Sequence, residues 1–221
     1  MPQPLSSFAP NSGITLAAGN TPHSPEMATS VLAVVNLWAQ IDSAYSVLLA
    51  NIARADPVTI TAAQQAVLST KIREAALLAA ASSALPKDEF CLIKAVIKSC
   101  RASKDERNYF VHYLWGEITG HRDCVLLIDQ KIAAHHFASV MQSVQSPGLS
   151  AIPEIDKSKI MVWNLNDFRT AEERARVCHD RTVQLSFVIN QHPAADHRRQ
   201  SLLEDPQIAR LHNLCLCENS P

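Results

Sequence analysis

Apolar residues recur at helical spacing through most of the chain. The clearest case runs from 31 to 52, with large apolar side chains every three or four residues: Val31, Val34, Trp38, Ile41, Tyr45, Leu48 and Ile52. This is the a/d pattern of a helix that buries one long face against a partner helix. Pro25-Glu26 marks its start. Polar residues such as Asn36 and Asp42 interrupt the stretch, so it is predicted to be a core helix and not a membrane span.

Three further helices follow from the same pattern. Thr61 and Gln64 have the spacing of a capping box and begin a second helix that runs to about Leu85. A third helix begins near Lys87, and it either continues unbroken to Trp115 or kinks around Ser103. Another begins at 166–167, keeps its apolar spacing, and ends at 192–193 in a His-Pro pair.

Two short apolar runs, 124–128 and 160–163, lack helical spacing and resemble buried strands. We expect them to form a small antiparallel pair, a β-hairpin insertion covering about 123–164. The segment between them, 131–145, fits either a helix or irregular structure. The chain has 5 glycines and only 5% aromatic residues, which favours a mainly α protein over a sandwich or barrel.

The two ends of the chain differ in amino-acid composition from its middle. Residues 1–26 mix Pro, Ser, Gly and Asn with few large apolar side chains, so we predict a flexible N-terminal tail. Residues 27–192 are predicted to be a single helical domain. Residues 193–221 are polar and are predicted to be a C-terminal extension with one short helix around 207–214.

Charge and cysteine content narrow the functional classes. The 20 basic and 21 acidic side chains nearly cancel, which excludes a general nucleic-acid adhesive and requires any RNA contact to come from a local patch. The start of the chain lacks a secretory signal, so a cytoplasmic location is expected, without membrane contact. The six cysteines have no regular spacing and are predicted to be reduced thiols.

The candidate chemistry lies at the predicted end of the third helix, in the motif Arg107-Asn108-x-x-x-His112. An arginine can hold a phosphate and neutralise charge that develops on it. A histidine can take a proton from a ribose 2′-hydroxyl and return one to a leaving oxygen. Asn108 and His112 are four residues apart and share a helix face, so the carboxamide could orient the imidazole or bind phosphate. These groups suffice to cleave RNA without a metal or another cofactor.

The spacing also bears on assembly. Five residues on a regular helix turn about 500°, so Arg107 and His112 point in directions about 140° apart. One helix does not easily aim both at one point, whereas two copies packed about a two-fold axis can combine them. This favours a homodimer with a cleft at its interface.

At these residues the chain resembles the HEPN superfamily, whose motif is Arg-x4–6-His with a polar residue, often Asn, after the arginine. Arg107, Asn108 and His112 match it at the four-residue spacing. The resemblance implies an antiparallel helical bundle that dimerises around the motif. It also implies a metal-independent endoribonuclease, in some members the toxin of a toxin–antitoxin pair with a cognate antitoxin protein. Leu114 stands where the toxin branch commonly has a tyrosine.

Other interpretations of these residues stay open. A non-catalytic module of the same fold would bind a partner protein, RNA or a nucleotide. In a purely structural interpretation, Arg107 pairs with a carboxylate such as Asp42, and His112 merely occupies a helix end that favours it.

Further residues could support RNA binding. A basic stripe consists of Lys94, Lys98 and Arg101, with Lys104 close by; it could follow a phosphate backbone or form a solvated face. Tyr109 and Tyr113 could stack on bases or pack in a core. The segment His212-x-x-Cys215-x-Cys217 offers three metal ligands without a clear fourth, so no metal site is predicted.

Overall fold

The computed structural model describes residues 2–16, 24–67, 69–145 and 154–218. The protein is mainly helical with a small antiparallel sheet, which confirms the predicted fold class at this level. The α-helices are α1 Leu5–Phe8, α2 Pro25–Ala53, α3 Pro57–Ala66, α4 Thr70–Ala84, α5 Lys87–Ser99, α6 Arg101–His112, α7 Gln130–Gln145, α8 Leu165–Ile189, α9 Ala195–Glu204 and α10 Pro206–Cys217. The strands are β1 Gln3–Pro4, β2 Ile14–Leu16, β3 Leu114–Ile118, β4 His121–Ile128 and β5 Ile160–Asn164.

Contacts divide the chain into two compact units, instead of the predicted single domain at 27–192 with two appendages. The first unit takes residues 1–35 and 105–173, and the second takes 36–104 and 174–221. The sheet and residues 105–112 of α6, which include Arg107, Asn108 and His112, belong to the first unit. Most residues of the two longest helices, α2 and α8, belong to the second unit.

The sheet of the first unit has five strands in the order β1-β5-β4-β3-β2, with every neighbouring pair antiparallel. Its β4–β5 pair is the predicted antiparallel pair, with Leu126 opposite Val162. The two strands do not form a simple hairpin, because α7 lies between them in the chain and both belong to a larger sheet. β4 is the central strand, and Cys124 to Ile128 are all buried, so both of its faces are covered. Side chains of the strands and of α1 form a hydrophobic core, which includes Leu5, Ile118, Leu126, Ile128, Ile160 and Val162.

The predicted flexible tail requires correction for residues 3–16. β1 pairs with β5 and β2 pairs with β3, so the N-terminal segment supplies both edge strands of the sheet. Leu5 is fully buried and Ile14 and Leu16 pack against the same core. The segment is ordered although its composition is rich in Pro and Ser, because each of these apolar side chains is stabilised by covering apolar surface of the sheet. Residues 17–23 of the predicted tail lie outside the described residues.

The predicted stripe of α2 is confirmed by burial. Six of its seven members are buried, namely Val34, Trp38, Ile41, Tyr45, Leu48 and Ile52, and Val31 is half-buried. In the second unit, the indole nitrogen Nε1 of Trp38 donates to Ser103 Oγ on α6 at 3.2 Å. By length and composition alone α2 is also apolar enough to cross a membrane. An 18-residue window of this helix has a mean hydropathy of 1.3, and 33% of that window is buried.

Two helix predictions need correction. The helix predicted from Thr61 to Leu85 is two helices, α3 and α4, and the cap lies earlier, where Asp56 accepts from the Thr59 amide at 2.8 Å. The third predicted helix is divided at Cys100, close to the kink that the sequence allowed around Ser103. It ends at His112 and not at Trp115, because Leu114–Ile118 forms β3. The ambiguous segment 131–145 is helical, as α7.

The predicted C-terminal extension is an integral part of the second unit. α9 and α10 are both regular helices, and α10 packs along α5 with Ile208, His212 and Cys215 buried. Asp205 caps α10 by accepting from the amides of Gln207 and Ile208. Cys215 forms a disulfide with Cys91 of α5, which corrects the prediction that all six cysteines are reduced. Cys100, Cys124, Cys178 and Cys217 keep their thiol groups.

Candidate functional site

Helix α6 carries the motif and is held in place by an aromatic cluster. On its C-terminal half, the Phe110 ring lies 5.0 Å from that of Trp163 and 5.2 Å from that of Phe168, measured between centroids. Trp163 and Phe168 are themselves 5.4 Å apart and almost fully buried. The cluster fixes the rotation of this part of α6 about its axis, because Phe110 must face inward. The directions of its neighbours on the helix follow from that constraint.

The motif residues have different environments. Arg107 and Asn108 are half-buried, whereas His112 is exposed at the last residue of α6. This difference agrees with the angle of about 140° that their spacing implies on a regular helix. The exposed imidazole is free to reach a ligand in solvent, and the guanidinium lies in a more enclosed position.

Asn108 orients the arginine in this structure. Arg107 Nη1 donates a hydrogen bond to Asn108 Oδ1 at 3.1 Å, while the Arg107 Nε atom is buried without a hydrogen-bond partner in the described residues. The carboxamide oxygen thus restricts the guanidinium plane and leaves other N–H groups of the fork for a ligand. The sequence suggested that Asn108 orients the imidazole or binds phosphate. Its hydrogen bond to Arg107 corresponds to neither role.

The rings of Tyr109 and Tyr113, four residues apart, contact each other in a tilted arrangement, with centroids 4.8 Å apart. Tyr109 also meets the edge of Trp163 at 6.5 Å, and both tyrosines are half-buried. Burial raises the pKa of Tyr113, with the Asp129 carboxylate adding to the shift, so its hydroxyl stays protonated at neutral pH. The rings contribute to packing, and each keeps some exposed surface for a base.

The four basic residues proposed for RNA binding are only partly available. Lys94 pairs with Glu218 and Lys104 pairs with Glu74, each at 2.5 Å. Lys98 and Arg101 are exposed. The break at Cys100 places Lys94 and Lys98 on α5, and Arg101 and Lys104 on α6. The stripe is therefore a mixed-charge surface and not an uninterrupted cationic track.

The structure gathers two groups that the sequence did not connect. A cleft of about 400 Å³ in the first unit is lined by His135 and His136 of α7 with Lys131 and Lys159. In the second unit, Asp88 of α5 contacts both His212 of α10 and Arg199 of α9. Each group also joins distant parts of the chain, because Lys159 lies 23 residues after His136 and Asp88 lies more than a hundred residues before Arg199 and His212.

His212 is buried, and its pKa is lowered by that burial and by the neighbouring Arg199 cation. The imidazole is therefore neutral at pH 7 and contacts Asp88 through Nε2. The described residues contain no group of three or more His, Cys, Asp or Glu side chains placed to hold a metal ion.

Comparisons of the chain with protein-family models, with curated proteins and with solved structures gave no match.

Proposed function

We propose that this protein is a metal-independent endoribonuclease whose active site uses Arg107, Asn108 and His112. One observation carries the proposal: the Arg107 guanidinium is oriented by Asn108 at 3.1 Å on the same short helix that ends in the exposed His112. An oriented guanidinium is suited to a phosphate, and an exposed imidazole is suited to proton transfer. The resemblance of the motif to the HEPN superfamily supports the same chemistry.

The reaction is intramolecular transesterification of RNA. Neutral His112 takes the proton of a ribose 2′-hydroxyl, and the 2′-oxygen attacks the adjacent phosphorus. Arg107 stabilises the negative charge that accumulates on the phosphoryl oxygens in the transition state. The bond between the phosphorus and the 5′-oxygen then breaks, and this oxygen takes a proton from the His112 imidazolium as it leaves. The products are a 2′,3′-cyclic phosphate and a free 5′-hydroxyl.

A homodimer is part of the proposal. The helical geometry directs Arg107 and His112 of one chain to different points, so we propose that each site combines the arginine of one copy with the histidine of the other across a two-fold cleft. The HEPN-like bundle, a cytoplasmic location and a cognate antitoxin are further elements of the proposal that follow from the sequence and not from the fold.

The direct test is cleavage of single-stranded RNA by the purified protein in EDTA. We expect shortened products ending in a 2′,3′-cyclic phosphate, identified by mass spectrometry, because no step requires a metal. Cleavage that appears only when Mg²⁺ or Mn²⁺ is added, or products ending in a 5′-phosphate, would contradict the mechanism.

The alternative is a non-catalytic module that uses the same helix to bind a partner protein, RNA or a nucleotide. Among these partners, the ion pairs of Lys94 and Lys104 favour a protein or a nucleotide, because they reduce the charge available to an RNA backbone. Saturable RNA binding without any cleavage in the same assay would support this alternative.

A further inference from the structure

The helices α5 and α10 run parallel and contact each other once in every turn. Three successive contacts each join residues 124 positions apart in the chain: Asp88 with His212, Cys91 with Cys215, and Lys94 with Glu218. Residues three apart lie on one helix face, so the disulfide is the middle contact of a single row. The row ends at Lys94 of the basic stripe and at Glu218, which follows α10.

The Glu218 carboxylate neutralises part of the basic stripe. Its Oε2 atom lies 2.5 Å from Lys94 Nζ. The hydrogen bond from Lys94 lowers the pKa of the Glu218 carboxyl, and the positive charges of Lys94 and Lys98 lower it further. Lys94 and Lys98 are four residues apart and share a face of α5. One carboxylate thus acts on two of the cations that the sequence assigns to RNA binding.

The disulfide holds the backbone that carries Glu218. At the end of α10, Cys215 is buried, Leu216 is half-buried, and the next two residues, Cys217 and Glu218, are exposed. This turn also receives a hydrogen bond of 2.6 Å from Lys87 Nζ to the Leu216 carbonyl oxygen. An exposed ion pair is weak by itself, because two flexible side chains lose conformational freedom when they meet. The covalent bond therefore contributes most to keeping Glu218 on the stripe.

We propose that reduction of the disulfide between α5 and α10 releases Glu218 from Lys94 and thereby opens the basic stripe to RNA. The disulfide state is the closed form, in which the carboxylate occupies the place of a phosphate. After reduction the end of α10 frays, because a helix terminus with few buried side chains opens easily. The rest of α10 stays packed on α5 through the buried Ile208 and His212. This inference rests on the proposed function, since it takes RNA as the ligand.

RNA competes with Glu218 for the lysines, because a phosphate and a carboxylate accept similar charge-assisted hydrogen bonds from an ammonium group. A lysine that moves from the carboxylate to a phosphate displaces a counterion from the RNA. For a single strand, each such contact steepens the slope of log affinity against log salt by about 0.7. At about 0.1 M salt, one added contact therefore strengthens binding roughly three- to ten-fold.

The redox step needs a reductant, and a small monothiol supplies it. Two molecules of such a thiol transfer two electrons and two protons to the disulfide, which becomes the thiols of Cys91 and Cys215. The two monothiols leave joined as their own disulfide. The reverse exchange with that small disulfide restores the bond between the helices and returns Glu218 to Lys94.

The test compares RNA binding by the oxidised full chain and by the same chain reduced with a phosphine. The probe is a labelled single-stranded RNA whose riboses carry 2′-O-methyl groups, which the proposed reaction cannot cleave. We expect the reduced chain to bind this probe about three- to ten-fold more tightly, with a steeper salt dependence. Equal affinity in the two redox states, or no binding in either, overturns the proposal.

Cleavage of ordinary RNA is measured separately, so that the two proposals can fail independently. If neither redox state cleaves RNA but the reduced chain binds the probe more tightly, the endoribonuclease proposal fails and the redox inference stands. If RNA is cleaved but the two states bind the probe equally, the redox inference alone fails.

Hydrogen exchange gives a structural readout of the same step. The Glu218 amide donates to the Leu214 carbonyl oxygen at 3.1 Å in the last turn. We expect this amide to exchange faster after reduction, while the amides around the buried Ile208 keep their protection. Unchanged exchange at Glu218 would show that the carboxylate is not released.

Glu218→Gln separates the charge effect from any loss of structure on reduction. Glu218 is exposed, so this variant should keep the fold and, when oxidised, bind the probe about as tightly as the reduced wild-type chain. Glu204→Gln is the matched control. It removes the same charge from an exposed residue of α9 whose carboxylate accepts a hydrogen bond from Gln200, and it should bind like the wild type in each redox state. Wild-type affinity in oxidised Glu218→Gln, or an equal gain in both variants, contradicts the proposal.

Discussion

Replacing His112 by alanine should lower the rate of RNA cleavage in EDTA by about 10²- to 10⁴-fold, the usual contribution of a general acid–base group. His112 is exposed at the end of α6, so its removal leaves the aromatic cluster that anchors the helix intact. The expected loss is therefore in the rate of the chemical step, with RNA affinity and the circular dichroism spectrum unchanged. Single-turnover cleavage of a labelled RNA measures it.

His135→Ala is the matched control for this prediction. His135 is also an exposed histidine on a helix of the first unit, but it lies outside the motif, so its replacement should leave the cleavage rate at the wild-type value. Equal rates for His112→Ala and the wild-type protein would remove His112 from the mechanism. A common loss in both histidine variants would indicate that general damage to the unit causes the effect.

Phe168→Ala should lower the free energy of unfolding by about 3–5 kcal/mol, the largest stability effect that we expect from one side chain. Phe168 is fully buried, and its ring packs against those of Phe110, Trp115 and Trp163 with centroids 5.2–5.9 Å apart. Its removal leaves a cavity and ends three aromatic contacts at once. Urea denaturation followed by tryptophan fluorescence measures the change.

Phe137→Ala provides the comparison for Phe168. Phe137 lies on α7 and is 50% exposed, so the same truncation there should cost less than about 1 kcal/mol. Similar losses at the two positions would mean that the aromatic cluster does not form the core of the first unit. Because Phe110 of this cluster lies on α6, the Phe168 variant should also lose cleavage activity at temperatures where the wild-type protein keeps it.

The elements that the sequence predicts well are those whose apolar pattern is long or whose neighbours are local. The heptad stripe from Val34 to Ile52 spans five turns, so its helix and its buried face were both predictable. The strands around Leu126 and Val162 were predictable because continuous apolar runs of that length indicate a central strand. The start of α8 differs from the prediction by only one residue, and Asn164 and Asp167 cap it reciprocally.

The incorrect predictions share a physical cause, which is that distant partners decide the structure. Gln3–Pro4 and Ile14–Leu16 become strands because β5 and β3 offer them free edges, which a local composition does not reveal. α10 is ordered by its packing on α5, more than a hundred residues earlier in the chain. In both segments the polar composition correctly described the exposed face, while a few buried side chains determined the fold.

At the candidate site too, local features could be predicted from the sequence, whereas contacts that depend on packing or on distant residues could not. The residue types and spacing of Arg107, Asn108 and His112 are local features, and the sequence identified them without help from the fold. The bond from Arg107 to Asn108 depends on rotamers that packing selects, so it was not foreseen. The contact between Asp88 and His212 joins residues of two separate helices, and nothing in either segment alone indicates it.

The most direct test of the shared active site is complementation between two inactive variants. If each site takes Arg107 from one copy and His112 from the other, a mixed dimer of Arg107→Ala and His112→Ala chains keeps one complete site. After the two variants are unfolded together and refolded, random pairing should restore about a quarter of the wild-type cleavage rate. A mixture no more active than either variant alone would contradict the account.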